Sequence, residues 1–241
     1  EPTHIPWSRM FEVLGRNKPF RVLLIAYMFD RLALGIHFAL LPFYMQYVLD
    51  SLGAYIPMSL VISIAPIASI PAWLALSRRF GKHRVYCFAN GLTAVGYASL
   101  AFLPIHVAVW LLLATAALRG FGNAGTMILP ASMGADAVDY DEWRCGVRQA
   151  GAHMAFLAFV QKLGLAGGAI GLVFISWFGF KEAAGVHTEQ ALAGVRFGAA
   201  WLPAIMLIPA VALMWNFPLD QRRHGILRRR LDGRAKAAAK A

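Results

Sequence analysis

Four side chains carry a charge where the surrounding sequence is built to avoid one: Asp30, Arg31, Arg119 and Lys162. Each sits within a long apolar stretch, of which AFVQKLGLAGG around Lys162 is the plainest. A charge at the centre of a bilayer costs about 2.5–3.5 kcal/mol on insertion scales, so each needs a partner, water or a bound ligand. With a rise of 1.5 Å per helical residue, Asp30 lies about 15 Å into its stretch, Lys162 about 16 Å and Arg119 about 18 Å, all near the middle of a ~30 Å hydrocarbon core. Membrane carriers hold substrate and coupling ion at that depth. The plainer alternative is a buried salt bridge, Asp30 with Lys162 or Arg119, that only fixes helix packing. Asp30 and Arg31 are neighbours and point about 100° apart on a helix, which makes them poor partners for each other.

A second concentration of charge is GADAVDYDEWRCGVRQAG, in which Asp136, Asp139, Asp141 and Glu142 precede Arg144 and Arg148. The oxygen-ligand order of a calcium loop is absent. Asp141 and Arg144 stand at i,i+3, a spacing that suits a short surface helix held by ion pairs. The segment, residues 134–150, reads as a solvated charged loop or as an ionic latch that breaks and forms.

Enzymatic chemistry finds no set of residues to carry it. GFGNAG, Gly120 to Gly125, has the spacing of a dinucleotide fingerprint, but that fingerprint has meaning only after a strand in a βαβ unit. Here it lies in an apolar stretch, where small residues let helices approach closely. The seven histidines are scattered, without H-E-x-x-H, and no Cys pair has metal spacing. The sequence therefore nominates no catalytic residue, metal or cofactor.

The elements that position the four charges follow from composition. Of 241 residues, 59% are hydrophobic and 15% charged, which points to the bilayer. Six stretches are long enough to span it, at about 20–49, 55–77, 85–103, 107–133, 151–178 and 197–217. The expectation is an all-α membrane protein of six transmembrane helices in a single bundle over residues 1–241, with the charged loop 134–150 and a basic tail 218–241. Most of the 23 Lys and Arg cluster before the first stretch (Arg9, Arg16, Lys18, Arg21), after the second (Arg78, Arg79, Lys82, Arg84), after the fourth, and in the tail to Lys240. These are alternate ends of a serpentine. The positive-inside bias then places both termini on the cytoplasmic side of a multi-pass protein of the cytoplasmic (inner) membrane, and assigns the net charge of +11 to topology rather than to nucleic acid. Cys87 and Cys145 read as free thiols near that face. Pro42, Pro57, Pro66, Pro71, Pro130, Pro203 and Pro209 interrupt the stretches. The pairs Gly164/Gly168 and Gly167/Gly171 form small-xxx-small steps that seat a neighbouring helix. The start at Glu1, with no targeting segment, suggests a processed or fragmentary chain.

LPASMGADAVDYDEWRCGVRQAG, followed by an apolar stretch with QKLG, resembles the glycoside-pentoside-hexuronide:cation symporters, the melibiose-carrier-like branch of the major facilitator superfamily. RNKPFRVLLIAY with LPFYMQYVL resembles that family's seventh helix, and SRRFGKHR its basic loop between helices eight and nine. The resemblance implies that the six stretches are helices seven to twelve, the C-terminal half of a twelve-helix carrier whose N-terminal six-helix half is missing here. It implies that the first, fourth and fifth stretches border a central cavity, that the third and sixth lie outside, and that Lys162 matches a lysine of the sugar and cation region. The coupling ion is expected to be H+ or Na+, with its main acids in the other half.

The leading expectation is thus part of a secondary active transporter, a cation-coupled symporter of a sugar or glycoside working by alternating access. Lys162 would stand between coupling and substrate sites, Asp30, Arg31 and Arg119 would line the cavity, and Asp136, Asp139, Asp141, Arg144 and Arg148 would form the cytoplasmic gate. The alternatives are a carrier of lysophospholipid or another amphiphile with the same fold, and a membrane fragment that does not transport.

Overall fold

A computed structural model of the chain describes residues 15–146, 148–182 and 186–238, which are helical with no strand among them. Arg9, Lys240 and the N-terminal start therefore lie outside the described residues. The helices are α1 (Lys18–Phe43), α2 (Tyr55–Phe80), α3 (Lys82–Ala98), α4 (Val109–Cys145), α5 (Ala150–Leu163), α6 (Ala166–Trp177), α7 (Glu189–Trp215) and α8 (Gln221–Ala238). Five continuous helical stretches are long and apolar enough to cross a membrane: Lys18–Val48, Leu52–Phe80, Lys82–Phe102, Ala150–Trp177 and Glu189–Trp215. Helix α4, at 37 residues, is longer than any of these but is not among the five. Its second half carries Asp136, Asp139, Asp141, Glu142 and Arg144.

Local chemistry sets the helix ends. Asn17 caps α1 by accepting the Phe20 N–H at 3.0 Å, with Pro19 in the first turn, where a missing N–H costs nothing. The same Asn17 amide donates to the Ala137 carbonyl at 2.8 Å and meets His153 Nε2 at 3.2 Å, so one fully buried side chain ties α1 to α4 and α5. Thr188 caps α7 through the Ala191 N–H at 3.2 Å. Gly146, at φ 73°, ends α4 in the left-handed conformation that glycine adopts without penalty, and its N–H reaches the Glu142 carbonyl at 2.8 Å.

Several sequence expectations are corrected here. Residues 134–145 are helix, because nothing in GADAVDYDEWRC stops α4 before Gly146. The last apolar stretch begins earlier than residue 197. Thr188 caps α7 so that it starts about two turns ahead of residue 197, over a segment in which Glu189, Gln190 and Arg196 lower the local hydropathy. The stretch 151–178 is two helices joined at Gly164–Leu165, where the Leu165 N–H donates to the Lys162 carbonyl and the Gly167 N–H to the Gly164 carbonyl, three residues back instead of four. Proline interrupts less than expected: α1, α2, α4 and α7 run through Pro42, Pro66, Pro71, Pro130, Pro203 and Pro209. The Ser69 hydroxyl donates to the Pro66 carbonyl at 2.9 Å, and the turn after Pro42 widens into a π-helix over Tyr44–Val48.

Helix α1 forms the spine of the bundle, packed against α7, α6, α5 and α4. Towards its N-terminus, Phe20 and Leu23 join Trp73, Tyr86, Met133 and Met214 in one core cluster. Towards its C-terminus, Ile36, Leu40 and Tyr44 join Met58, Leu112 and Val195 in another. Small residues permit the closest approaches. A Cβ on Gly35 would stand 1.8 Å from the Gly164 carbonyl oxygen, and one on Gly167 would stand 2.3 Å from that of Leu32. The glycine steps after Lys162 therefore do seat a neighbouring helix, α1. GFGNAG serves the same end: added Cβ atoms at Gly122 and Gly125 would collide with Thr93 and Ala89 of α3.

Candidate functional site

The four charges within the bundle occupy three different environments. Asp30 and Arg31 are both buried and form an ion pair, with Arg31 Nη2 at 2.8 Å from Asp30 Oδ2 and Nε at 3.2 Å from the same oxygen. This corrects the expectation that neighbours make poor partners. Their Cβ directions diverge, but the long guanidinium stem folds back and closes the gap. Arg31 Nη2 also donates to Thr126 Oγ1 on α4 at 3.1 Å, and the guanidinium stands 5.0 Å from the centre of the Tyr27 ring, within cation–π range. No ion pair joins Asp30 to Arg119 or Lys162 among the described residues.

Arg119 is buried to 3% exposure, and none of its three guanidinium nitrogens has a hydrogen-bond partner among the described residues. Its stem passes so close to Gly96 on α3 that a Cβ there would lie 2.6 Å from Arg119 Cγ. The rings of His37 and Tyr97 lie 4.6 Å apart and tilted by 41°. Asp30, Arg31 and Arg119 are thus all buried inside the bundle.

Lys162 is the opposite case. It sits at the C-terminal end of α5, one residue before the α5–α6 join, and is exposed. Among the described residues it makes no hydrogen bond or ion pair. An ammonium on an apolar helix beside a loosened turn is the arrangement expected of a group that meets its partner from outside this bundle.

At the end where α4 stops, the acidic segment meets basic groups from three other places. Asp139, 3% exposed, accepts from Arg148 at 3.0 Å, His224 at 3.1 Å and Arg228 at 2.8 Å. Asp136 accepts from Lys82 at 2.6 Å, and Arg148 also reaches Glu142 at 2.7 Å. Helix α8 is thereby clamped to α4 through His224 and Arg228, one turn apart. Two predicted members stand aside. Asp141 is buried and, among the described residues, accepts from the Cys145 thiol at 3.8 Å, while Arg144 donates to the Arg16 carbonyl at 2.7 Å. Asp141 does not pair with Arg144, because burial turns it towards the bundle and leaves Arg144 outside. Lys82, His224 and Arg228 were missed in the sequence. Their signal was the i,i+4 spacing of His224 and Arg228 and the opposite charge of the segment they face, neither of which says that distant stretches meet.

Burial pushes the Asp139 carboxyl up, but hydrogen bonds from His224, Arg228 and Arg148 more than offset this and hold it below its ordinary value. A depressed carboxylate stabilises the fold above its unfolded pKa, near 3.9, and the contribution is lost as pH falls through the folded value. The clamp is therefore expected to persist at pH 5 and to release only below about pH 4. Hydrogen exchange of residues 221–232 checks this: protection should stay level from pH 7 to 5 after correction for intrinsic rates, and Asp139→Asn should lower it throughout.

Compared with known proteins, residues 1–221 match the family described as MFS/sugar transport protein. The chain belongs to that family. Relatives of this MFS chain include the glucuronide carrier protein homolog of Escherichia coli (strain K12), 28% identical over 230 residues, covering 93% of this chain and 49% of the relative. The putative sulfoquinovose importer of the same strain is 26% identical over 224 residues, covering 91% and 47%. The lactose permease of Lactobacillus delbrueckii subsp. bulgaricus is 26% identical over 214 residues, covering 86% and 33%. The chain spans about half the length of the first of these curated relatives. The resemblance to glycoside-pentoside-hexuronide-type symporters, drawn from the acidic segment and QKLG, agrees with this membership.

Proposed function

We propose that this chain is the six-helix C-terminal half, helices seven to twelve, of a secondary active transporter. With an N-terminal six-helix half it carries a sugar or glycoside together with H+ or Na+ across the cytoplasmic membrane by alternating access. On this reading α4 also spans the membrane, as the fourth of six such helices, and the basic clusters hold both termini in the cytoplasm.

The observation that carries the reading is Lys162, a charged, exposed side chain with no partner among the described residues, set in an apolar helix. Facing lipid it would be costly, whereas facing a wet cavity shared with a second half it is a binding group. Helix α2 supports this, since Ile56, Leu60, Ile64 and Ile67 are exposed along it and suit a cover of similar apolar character. Lys162 stands between coupling and substrate sites. Asp30, Arg31 and Arg119 set the charge behind the cavity wall. Asp136, Asp139 and Arg148, with Lys82, His224 and Arg228, form a latch at the cytoplasmic gate, flanked by Asp141 and Arg144. The glucuronide named for one relative bears a carboxylate that the Lys162 ammonium would complement.

The test is uptake by the full-length carrier in proteoliposomes, with an imposed Na+ or H+ gradient, offered a radiolabelled glucuronide, lactose or a lysophospholipid. Accumulation of a sugar that collapses when an ionophore dissipates the gradient is the expected result. Uptake of lysophospholipid without competition by sugars would replace the cargo, and no gradient-dependent accumulation of any of them would overturn the reading.

A further inference from the structure

Along α3 and α7, bordered by the end of α2, runs an open groove of about 1040 Å³ that the transport reading does not use. Among the described residues Arg84 is the one charged side chain lining it, and Asn216 adds a side-chain amide. Beyond Arg84 the wall is apolar: Phe88 and Val95 on α3 are each 59% exposed, and Trp215 across from them is 68% exposed. A second shallow groove of about 340 Å³ shares Gly91, Val211 and Trp215 with the first and extends it over Ala94, Ala204 and Leu207 without a charged residue.

From these contours we propose that the groove binds a phospholipid with an anionic headgroup, its phosphate on Arg84 and one acyl chain along Gly91 and Ala94. Length supports this occupant. Ten helical residues separate Arg84 from Ala94, about 15 Å at the α-helical rise, which is half of a ~30 Å hydrocarbon core and hence one leaflet. Charge supports it as well. Arg84 is exposed and forms no ion pair among the described residues, and Arg78 and Arg79 stand on the adjacent last turn of α2, so the field at this end attracts a phosphodiester. Trp215 lies at the same end, where an amphipathic ring suits the headgroup level. Gly91 leaves the floor of the groove open: a Cβ there would meet nothing within 4 Å. The bound lipid would act as a wedge holding α3 against α7.

The test uses the full-length carrier purified in a non-ionic detergent, with dioleoylphosphatidylglycerol and dioleoylphosphatidylcholine as probes, read by native mass spectrometry and thermal unfolding. The expected result is retention of phosphatidylglycerol in preference to phosphatidylcholine, with a raised Tm. Arg84→Gln should weaken retention about fivefold, the equivalent of ~1 kcal/mol for one basic side chain at an anionic lipid surface. Gly91→Phe should abolish retention by filling the groove, while its Tm without lipid stays at the wild-type value. Equal retention of the two lipids, or wild-type retention of phosphatidylglycerol in both variants, would overturn the proposal.

Discussion

Lys162→Ala in the full-length carrier is expected to cut gradient-driven accumulation of sugar by about 30-fold or more. That is the loss from removing one charge-assisted hydrogen bond of ~2 kcal/mol at a site that must bind before it can move. Two observations make this effect large while leaving folding intact. Among the described residues the side chain touches no polar partner, so truncation orphans none of them. It also sits where α5 gives way to α6 through bonds three residues long, a place where helix direction can change at little cost. Membrane insertion and Tm should match wild type, and Lys162→Arg should recover part of the binding but less of the transport, since a planar fork does not replace a compact ammonium. Full accumulation by the alanine variant would remove Lys162 from the mechanism.

The second large effect is on stability. Gly35 and Gly164 bring α1 and the α5–α6 join so close that a Cβ on Gly35 would overlap the Gly164 carbonyl oxygen at 1.8 Å and approach its carbon at 3.0 Å. The obstacle is backbone, which cannot rotate aside as a side chain can. Overpacking typically costs 1–3 kcal/mol, and this geometry places Gly35→Val at ~3 kcal/mol or more, enough to separate the two helices. The expected readout is a sharp fall in detergent-solubilised yield and Tm. Gly91→Ala, where an added Cβ meets nothing, serves as the control. A Gly35→Val carrier with wild-type Tm would mean that the approach of α1 to Gly164 is looser than the structure has it.

How much of this was legible in the sequence depends on the range of the interaction. The all-helical membrane character follows from stretches such as LLIAYMF and LVFISWF, because hydropathy is a sum over local residues and the bilayer reads it locally. The packing role of the pairs Gly164/Gly168 and Gly167/Gly171 was legible for the same reason, since small residues four apart expose backbone whatever their partner. What the sequence withheld needs two distant segments. Lys82, His224 and Arg228 converge on Asp136 and Asp139 from more than 50 residues away, and no local pattern states that meeting. The length of α4 was hidden differently. Its acidic second half resembles a solvated loop in composition, yet it stays helical until Gly146 stops it. Arg119 was identified as a charge in a span, but that it is buried without a partner among the described residues depends on distant segments such as α3, which meets it at Gly96.

The ion pair between Asp30 and Arg31 also bears on how the chain is made. A helix enters the bilayer before those that follow it in the chain exist to neutralise its charges. Two opposite charges on adjacent residues form a pair that travels with its own helix, so α1 can partition into lipid as a nearly neutral rod. It need not wait for Thr126, almost a hundred residues downstream. Lys162 has no such companion within its own helix. Insertion of α4 with Arg119, and of the α5–α6 segment with Lys162, accordingly depends on what has already assembled around them.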